Sequence, residues 1–230
     1  MISRNKTART AGLLYLVTVV TGIFSLIYVP SHITVHGDAA STVRNIVASE
    51  SLFRLGIAVG AIGYVAFLVL PLALYGLLSQ VNKNIAVLMV AFGIACVPME
   101  FVALAHRLDI LSLLTGDNYQ QVFPAEQQNE RVMSLLDAYD NAIFISEIFW
   151  GLWLLPLGYL VFKSGFLPKF LGALLMLGCF SYLITYFGAM LFPHTTIPSF
   201  VMWPATFGEI GICLWLVIAG ARKRLWGPAN

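Results

Sequence analysis

The chain has 230 residues, of which 59% are hydrophobic and only 10% are charged, and its formal net charge at pH 7 is +2. A soluble domain carries a charge on about 25% of its residues, so this composition excludes an ordinary soluble protein and predicts a chain that lies largely in lipid. The small net charge, without basic stretches interleaved with aromatic residues, also argues against a nucleic-acid partner.

Six apolar runs follow one another along the chain, and each reaches the roughly 20 residues that a helix needs to cross about 30 Å of hydrocarbon. They cover residues 11–29, 55–79, 85–111, 132–162, 170–192 and 200–221. They lack the alternation of membrane β-strands. We therefore predict an all-α, polytopic membrane protein, a bundle of six transmembrane helices that forms a single integral membrane domain over residues 1–230.

The basic residues predict how these helices are oriented, because lysine and arginine concentrate on the cytoplasmic side of a membrane protein. Nine of the 13 lie before the first run, in the second-to-third and fourth-to-fifth connections, or after the sixth run: Arg4, Lys6, Arg9, Lys83, Lys163, Lys169, Arg222, Lys223 and Arg224. In a six-helix threading all these segments face one side. Both chain ends are therefore predicted to lie inside.

The connection between the first two runs is predicted to contain a short amphipathic helix at the outer surface, running into the second run. Asp38 is a typical N-cap residue. Ala39, Val43, Ile46 and Val47 then recur at helical spacing.

Three glutamates lie deep in the apolar runs. Counted from the cytoplasmic helix ends at 1.5 Å per residue, Glu100 and Glu147 lie roughly 24 Å and Glu209 roughly 18 Å along their helices. They share a level near the midplane that holds no lysine or arginine. Since carboxyl groups inside a membrane are costly and often functional, we predict a ligand or proton site there. The alternative is hydrogen bonding between helices alone.

A second polar layer is predicted at the outer interface. Arg107 and Asp140 lie at roughly 35 Å by the same count, and Arg54 lies slightly higher. The neighbours of this layer are His106, Asp109, Asp137 and Asn141. Arg54 and Arg107 are expected to pair with Asp137, Asp140 or Asp109, either as part of a ligand site or only to hold helices together.

The two layers are connected within helices. Glu100 and Arg107 are seven positions apart, as are Asp140 and Glu147, so each pair shares one helix face. The sequence therefore predicts a polar crevice among the second, third, fourth and sixth helices that opens outward.

Metal and cofactor chemistry has little support in the sequence. The four histidines, His32, His36, His106 and His194, map to the outer half, but only the first two have a regular spacing. A zinc site needs three or four converging ligands. We therefore predict no metal and no cofactor.

Three stretches of the sequence resemble a family of bacterial and archaeal membrane proteins, that of domain of unknown function 4386. They are TARTAGLLY at residues 7–15, NIVASESLFRLGI at 45–57 and GYLVFKSGFLPKFLG at 158–172. The resemblance extends over nearly the whole chain. It implies a multi-pass protein of the prokaryotic cytoplasmic membrane, with Arg54, Asp140 and the helix-breaking turn from Gly165 to Pro168 as family features. It implies no established activity.

The preferred hypothesis is a membrane protein whose outward-opening pocket binds or transports a small cationic or amphiphilic ligand, a proton or a lipid headgroup. The residues assigned to that site are Glu100, Glu147, Glu209, Arg54, Arg107, Asp140 and Asn141. Two alternatives stay open. One is an intramembrane enzyme that uses a carboxyl group as general acid or base, or a histidine-bound metal. The other is a structural or partner-binding membrane protein.

Overall fold

The computed structural model describes residues 4–116 and 124–221, which are helical apart from short connections. The helices are α1 (Arg4–Gly22), α2 (Val29–Ile33), α3 (Ala39–Ala48), α4 (Glu50–Leu78), α5 (Lys83–Ala95), α6 (Val97–Thr115), α7 (Ala125–Lys163), α8 (Lys169–Leu191) and α9 (Trp203–Ile218). A π-helical turn, Ile23–Tyr28, joins α1 to α2, and a 3₁₀ turn, Ser199–Met202, precedes α9.

Six helical segments of the described chain are long and apolar enough to cross a membrane, which confirms the all-α, polytopic prediction. They are Arg4–Ile33, Glu50–Leu78, Lys83–Thr115, Ala125–Lys163, Lys169–Leu191 and Ser199–Ile218. The protein is therefore a multi-pass membrane protein in a lipid environment. Which end faces the cytoplasm remains a prediction from the basic residues.

Helix α7 begins at Ala125, seven residues before the apolar run that predicted it. The added segment, AEQQNER, is polar but rich in good helix formers, so it continues the helix without raising its hydropathy. At 39 residues, α7 is roughly 58 Å long. Part of it must therefore project beyond the hydrocarbon core.

The third segment is interrupted at Cys96, between α5 and α6. Pro98 explains the interruption, because its nitrogen has no hydrogen to donate to the preceding turn and its ring crowds that turn's carbonyl oxygen. The sharp turn predicted between the fourth and fifth segments is confirmed. There α7 ends at Lys163, Gly165 has a φ of 72° that favours glycine, and α8 begins after Pro168.

The short helix predicted before the second segment is confirmed as α3. Asp38 caps it, since the Ser41 amide donates to the Asp38 carboxylate at 2.8 Å. The Ser41 hydroxyl also donates to that carboxylate, and these hydrogen bonds lower the pKa of Asp38. Thr42, Val43 and Ile46 form the buried face of α3.

The described residues belong to two compact units. The first unit comprises Met1–Val17, Ala66–Val97 and Phe144–Asn230 as far as they are described, and the second comprises Thr18–Val65 and Pro98–Ile143. The second unit has its own apolar core, in which Phe53, Ile110 and Val132 are fully buried. In the first unit α7 and α8 approach closely, because a Cβ at Gly158 would lie 2.6 Å from the carbonyl oxygen of Gly172. The prediction of a single domain stays a prediction.

Candidate functional site

The candidate site lies in the second unit and is built around Arg107 of α6. The Arg107 side chain is only 2% exposed, although arginine is rarely buried this fully without a charged partner. Glu100, seven positions earlier on the same helix, is 1% exposed. The two polar residues that were predicted to share a face of α6 are thus both buried.

The π-helical turn leaves one backbone carbonyl oxygen, that of Ser25, without a backbone donor, and this oxygen accepts a hydrogen bond from Arg107. The Val29 amide bonds back to the Phe24 carbonyl oxygen, and Pro30, five positions after Ser25, has no N–H to donate to the Ser25 carbonyl. Arg107 Nη1 donates to the Ser25 carbonyl oxygen instead, at 3.2 Å. The local sequence IFSLIYVP thereby creates the acceptor that positions the guanidinium.

Two aromatic rings pack near the Arg107 guanidinium. Its carbon lies 3.8 Å from the centroid of the Tyr139 ring and 6.0 Å from that of Phe53. Both rings are buried, at 2% and 0% exposure. A cation over an aromatic face is stabilised most where water is excluded, so this pocket favours the charged arginine over other polar side chains.

The aspartates that were predicted to pair with Arg107 do not contact it. The ion pairs predicted between Arg107 and Asp109, Asp137 or Asp140 are not formed within 4.0 Å, and Arg107 Nε is buried without a hydrogen-bond partner among the described residues. Asp140 attracts it electrostatically, from beyond contact distance. A charge taken out of water costs several kcal/mol unless it is closely paired. The Nε–H of Arg107 therefore remains available as a donor to an anion.

The empty space next to Arg107 is a cavity of about 250 Å³, here called the Arg107 cavity. Its walls combine apolar side chains with hydroxyl, imidazole and carboxyl groups. They are Pro30, Ser31, Ile33, Thr34, His36, Arg107, Met133, Leu136, Asp137 and Asp140. All of these residues belong to the second unit, from the α2 region, α6 and α7.

The outer polar residues predicted from the sequence divide into two groups. Arg107, Asp137 and Asp140 meet at the Arg107 cavity. Arg54 does not pair with an aspartate as expected, since its Nε donates to Glu50 at 2.6 Å on the same helix. One turn separates those two residues, so local geometry outcompetes a distant partner. Asn141 is exposed and does not line the cavity.

The three deep glutamates are divided between the units. Glu100 belongs to the second unit, whereas Glu147 and Glu209 belong to the first. Glu147 is half-buried, and Glu209 accepts a hydrogen bond from the Tyr182 hydroxyl at 3.3 Å. Their convergence on one ligand or proton site stays a prediction.

Sequence reasoning missed three groups that shape the site: the Ser25 carbonyl oxygen and the rings of Tyr139 and Phe53. Tyr139 had a signal, because it directly precedes Asp140 in the polar stretch of the fourth helix. The Ser25 carbonyl had a weaker one, namely Pro30 five positions later in an apolar run. Phe53 directly precedes Arg54 in the family stretch at 45–57, but the sequence did not indicate which of these two side chains is buried.

The histidines do not assemble a metal centre in the described part of the chain. No group of three or more His, Cys, Asp or Glu residues among them is arranged to hold a metal ion. His36 lines the Arg107 cavity together with Asp137 and Asp140. These three side chains therefore offer polar contacts to a ligand, without a ligand set for zinc.

Comparison with known proteins identifies relatives of this chain. The family model for domain of unknown function 4386 matches residues 10–220. An uncharacterized protein of Archaeoglobus fulgidus is 31% identical over 150 residues, which are 65% of this chain and 74% of the relative. No solved structure matches the chain. Because the family model covers most of the sequence, the chain belongs to the family of domain of unknown function 4386.

Proposed function

We propose that this membrane protein binds a small ligand in the Arg107 cavity, through an anionic group on that ligand. The ligand would enter from the outer side of a prokaryotic cytoplasmic membrane, as the distribution of basic residues and the family resemblance suggest. Arg107 would hold the anion, and the polar groups of the α2 region and α7 would contact the remainder.

The observation that carries the proposal is a buried guanidinium with an unpartnered N–H donor in the wall of a cavity. Arg107 is 2% exposed, makes no ion pair with Asp137 or Asp140 within 4.0 Å, and has no hydrogen-bond partner at Nε in the described part of the chain. Its hydrogen bond to Ser25 and its place over Tyr139 fix the side chain before any ligand arrives. A guanidinium held in this way matches the planar or tetrahedral oxygens of a carboxylate or phosphate.

The size of the cavity sets the size of the ligand. Pockets for drug-sized molecules usually enclose about 300–1,000 Å³. The Arg107 cavity, at about 250 Å³, suits a smaller molecule or one headgroup of a larger amphiphile.

The test is ligand-dependent thermal stability of the purified protein in a neutral detergent, at constant ionic strength. Inorganic phosphate and acetate are compared with chloride as probes. A ligand that binds only the folded state at 100 times its dissociation constant stabilises that state by about 2.7 kcal/mol. We expect phosphate or acetate to raise the melting temperature where chloride does not.

Variants connect that stabilisation to the cavity. Ser31→Trp should abolish it by filling the cavity from its exposed rim, without removing Arg107. Arg54→Gln is the matched control, because Arg54 is exposed and already paired with Glu50. If Ser31→Trp retains the full anion response, or Arg54→Gln loses it, the Arg107 cavity is not the binding site.

A further inference from the structure

We infer that the ligand of the Arg107 cavity is a zwitterion, an aminoalkyl phosphodiester whose phosphate meets Arg107 and whose ammonium group meets Asp137 and Asp140. The same chemistry occurs in a free glycerophosphodiester and in a lipid headgroup. This inference rests on the proposed function, because it assumes an anion at Arg107. It adds the second charge of the ligand and the residues that select it.

The charges of the cavity wall favour a ligand that carries a cation as well as an anion. Two carboxylates and one guanidinium line the same space. Asp137 and Asp140 are exposed, one turn apart on α7, and repel each other. An anion in the cavity is therefore repelled by both carboxylates while Arg107 attracts it. A ligand that also carries a cation offsets this repulsion, because its cation is attracted by the two carboxylates.

The distribution of burial gives the ligand a direction. Among the charged residues that line the cavity, Arg107 is buried, whereas Asp137 and Asp140 are exposed. The anion therefore lies on the inside and the ammonium group nearer the opening. A primary ammonium donates up to three hydrogen bonds, which two neighbouring carboxylates can accept together.

The apolar part of the wall favours a ligand with carbon chains beside its charges. Ile33, Met133 and Leu136 line the cavity together with Pro30. A phosphodiester carries an alkyl substituent on each side of its single negative charge, so one substituent bears the ammonium and the other contacts these side chains. A small inorganic anion would leave that apolar surface uncovered.

The experiment is calorimetric titration of the protein in neutral detergent with two matched probes. Glycerophosphoethanolamine carries the phosphodiester and the ammonium group, and glycerophosphoglycerol carries the same phosphodiester without a cation. Dihexanoyl phosphatidylethanolamine and dihexanoyl phosphatidylglycerol form the corresponding lipid pair. We expect the ethanolamine member of at least one pair to bind more tightly by about two- to fivefold, the size expected for an ion pair at a partly exposed position.

Two variants should remove that preference. Asp137→Asn and Asp140→Asn, singly and together, should lower the affinity for the ethanolamine probe and leave or raise that for its glycerol partner. Asp109→Asn is the control, because Asp109 is exposed on α6 and does not line the cavity.

Preference within the lipid pair alone would identify a headgroup as the source, and preference within the free pair would identify a soluble phosphodiester.

The outcomes separate this inference from the proposed function. If glycerol and ethanolamine probes bind equally and Ser31→Trp abolishes both, the anion site stands and the zwitterion is wrong. If no probe binds and phosphate and acetate also fail, both proposals fall. If the ethanolamine preference survives in the double asparagine variant, other groups recognise the ammonium and the inference is overturned.

Discussion

Arg107 and Ser25 are 82 positions apart in the sequence and are joined by a hydrogen bond of 3.2 Å from the guanidinium to a backbone carbonyl. The bond exists because a π-helical turn and Pro30 leave that carbonyl without a donor five positions later in its own helix. In a membrane such a group must be satisfied by a neighbour. Arg107 thus serves the fold and, in our proposal, the ligand.

Replacing Arg107 by lysine tests this double role. Arg107→Lys keeps a positive charge in the same buried position, but loses the planar group that stacks on Tyr139 and reaches Ser25. We expect a loss of about 1–3 kcal/mol in the free energy of unfolding, the usual cost of a buried polar group left unsatisfied. Arg54→Lys, an exposed substitution, should change it by less than about 0.5 kcal/mol. Unfolding in mixed micelles measures both, and equal effects would contradict the assignment.

Tyr139 offers an independent test of the same cation. Tyr139→Phe keeps the ring beneath the guanidinium and should change stability little. Tyr139→Leu removes the ring and should cost about 2 kcal/mol if the contact is desolvated. A double-mutant cycle with Arg107→Lys should show coupling between the two positions. Additive effects would mean that the ring only fills space.

The sequence predicted the helices better than the site, for a physical reason. A membrane segment must be apolar over about 20 residues, and this requirement is written in local composition. The partners of Arg107 are set by rotation of each helix about its axis and by a local change of helical pitch. Seven-residue spacing placed Glu100 and Arg107 on one buried face, but could not show that Ser25 would offer its carbonyl oxygen.

Ion pairs were the least predictable feature. Counting turns placed Arg54 and several aspartates at one level, yet Arg54 pairs with Glu50 on its own helix. The height of a residue along its helix does not determine the direction in which its side chain points around the helix axis. A partner four positions away on the same helix, by contrast, is already at contact distance. Asp137 and Asp140, three positions apart on one face of α7, line one cavity with Arg107 but do not form the ion pair that was predicted.

Close packing of α7 against α8 predicts a strong effect of a single methyl group. A Cβ at Gly158 would lie 2.6 Å from the Gly172 carbonyl oxygen and 2.7 Å from the Met176 amide nitrogen, both of which are backbone atoms. Gly158→Ala should therefore lower the free energy of unfolding by about 1–3 kcal/mol. Gly22→Ala is the matched control, because nothing lies within 4 Å of its added methyl group. In a helix that change should stabilise by about 0.5–1 kcal/mol, and a similar loss at both positions would refute the close approach.

The cap of α3 predicts a pH dependence. Hydrogen bonds from Ser41 lower the pKa of Asp38 in the folded state. A depressed carboxyl pKa contributes stability that is present above the unfolded value, about 3.9, and is lost as pH falls through the folded value. Asp38→Asn keeps a capping side chain that does not titrate, so its melting temperature should fall less than that of the wild type below about pH 4. Identical acid profiles would show that the cap does not contribute.

The orientation predicted by the basic residues is tested by labelling from outside the cell. Ala40 on α3 and Gln80 after α4 are both exposed and lie on opposite sides in the predicted threading, while the native Cys96, Cys179 and Cys213 are buried. A membrane-impermeant maleimide should label Ala40→Cys in intact cells, and should label Gln80→Cys only after the membrane is opened. The reverse pattern would invert the topology and turn the Arg107 cavity toward the cytoplasm. Its ligand would then have to be a cytoplasmic one, since Thr34 and His36, which line the cavity, directly precede α3 in the chain.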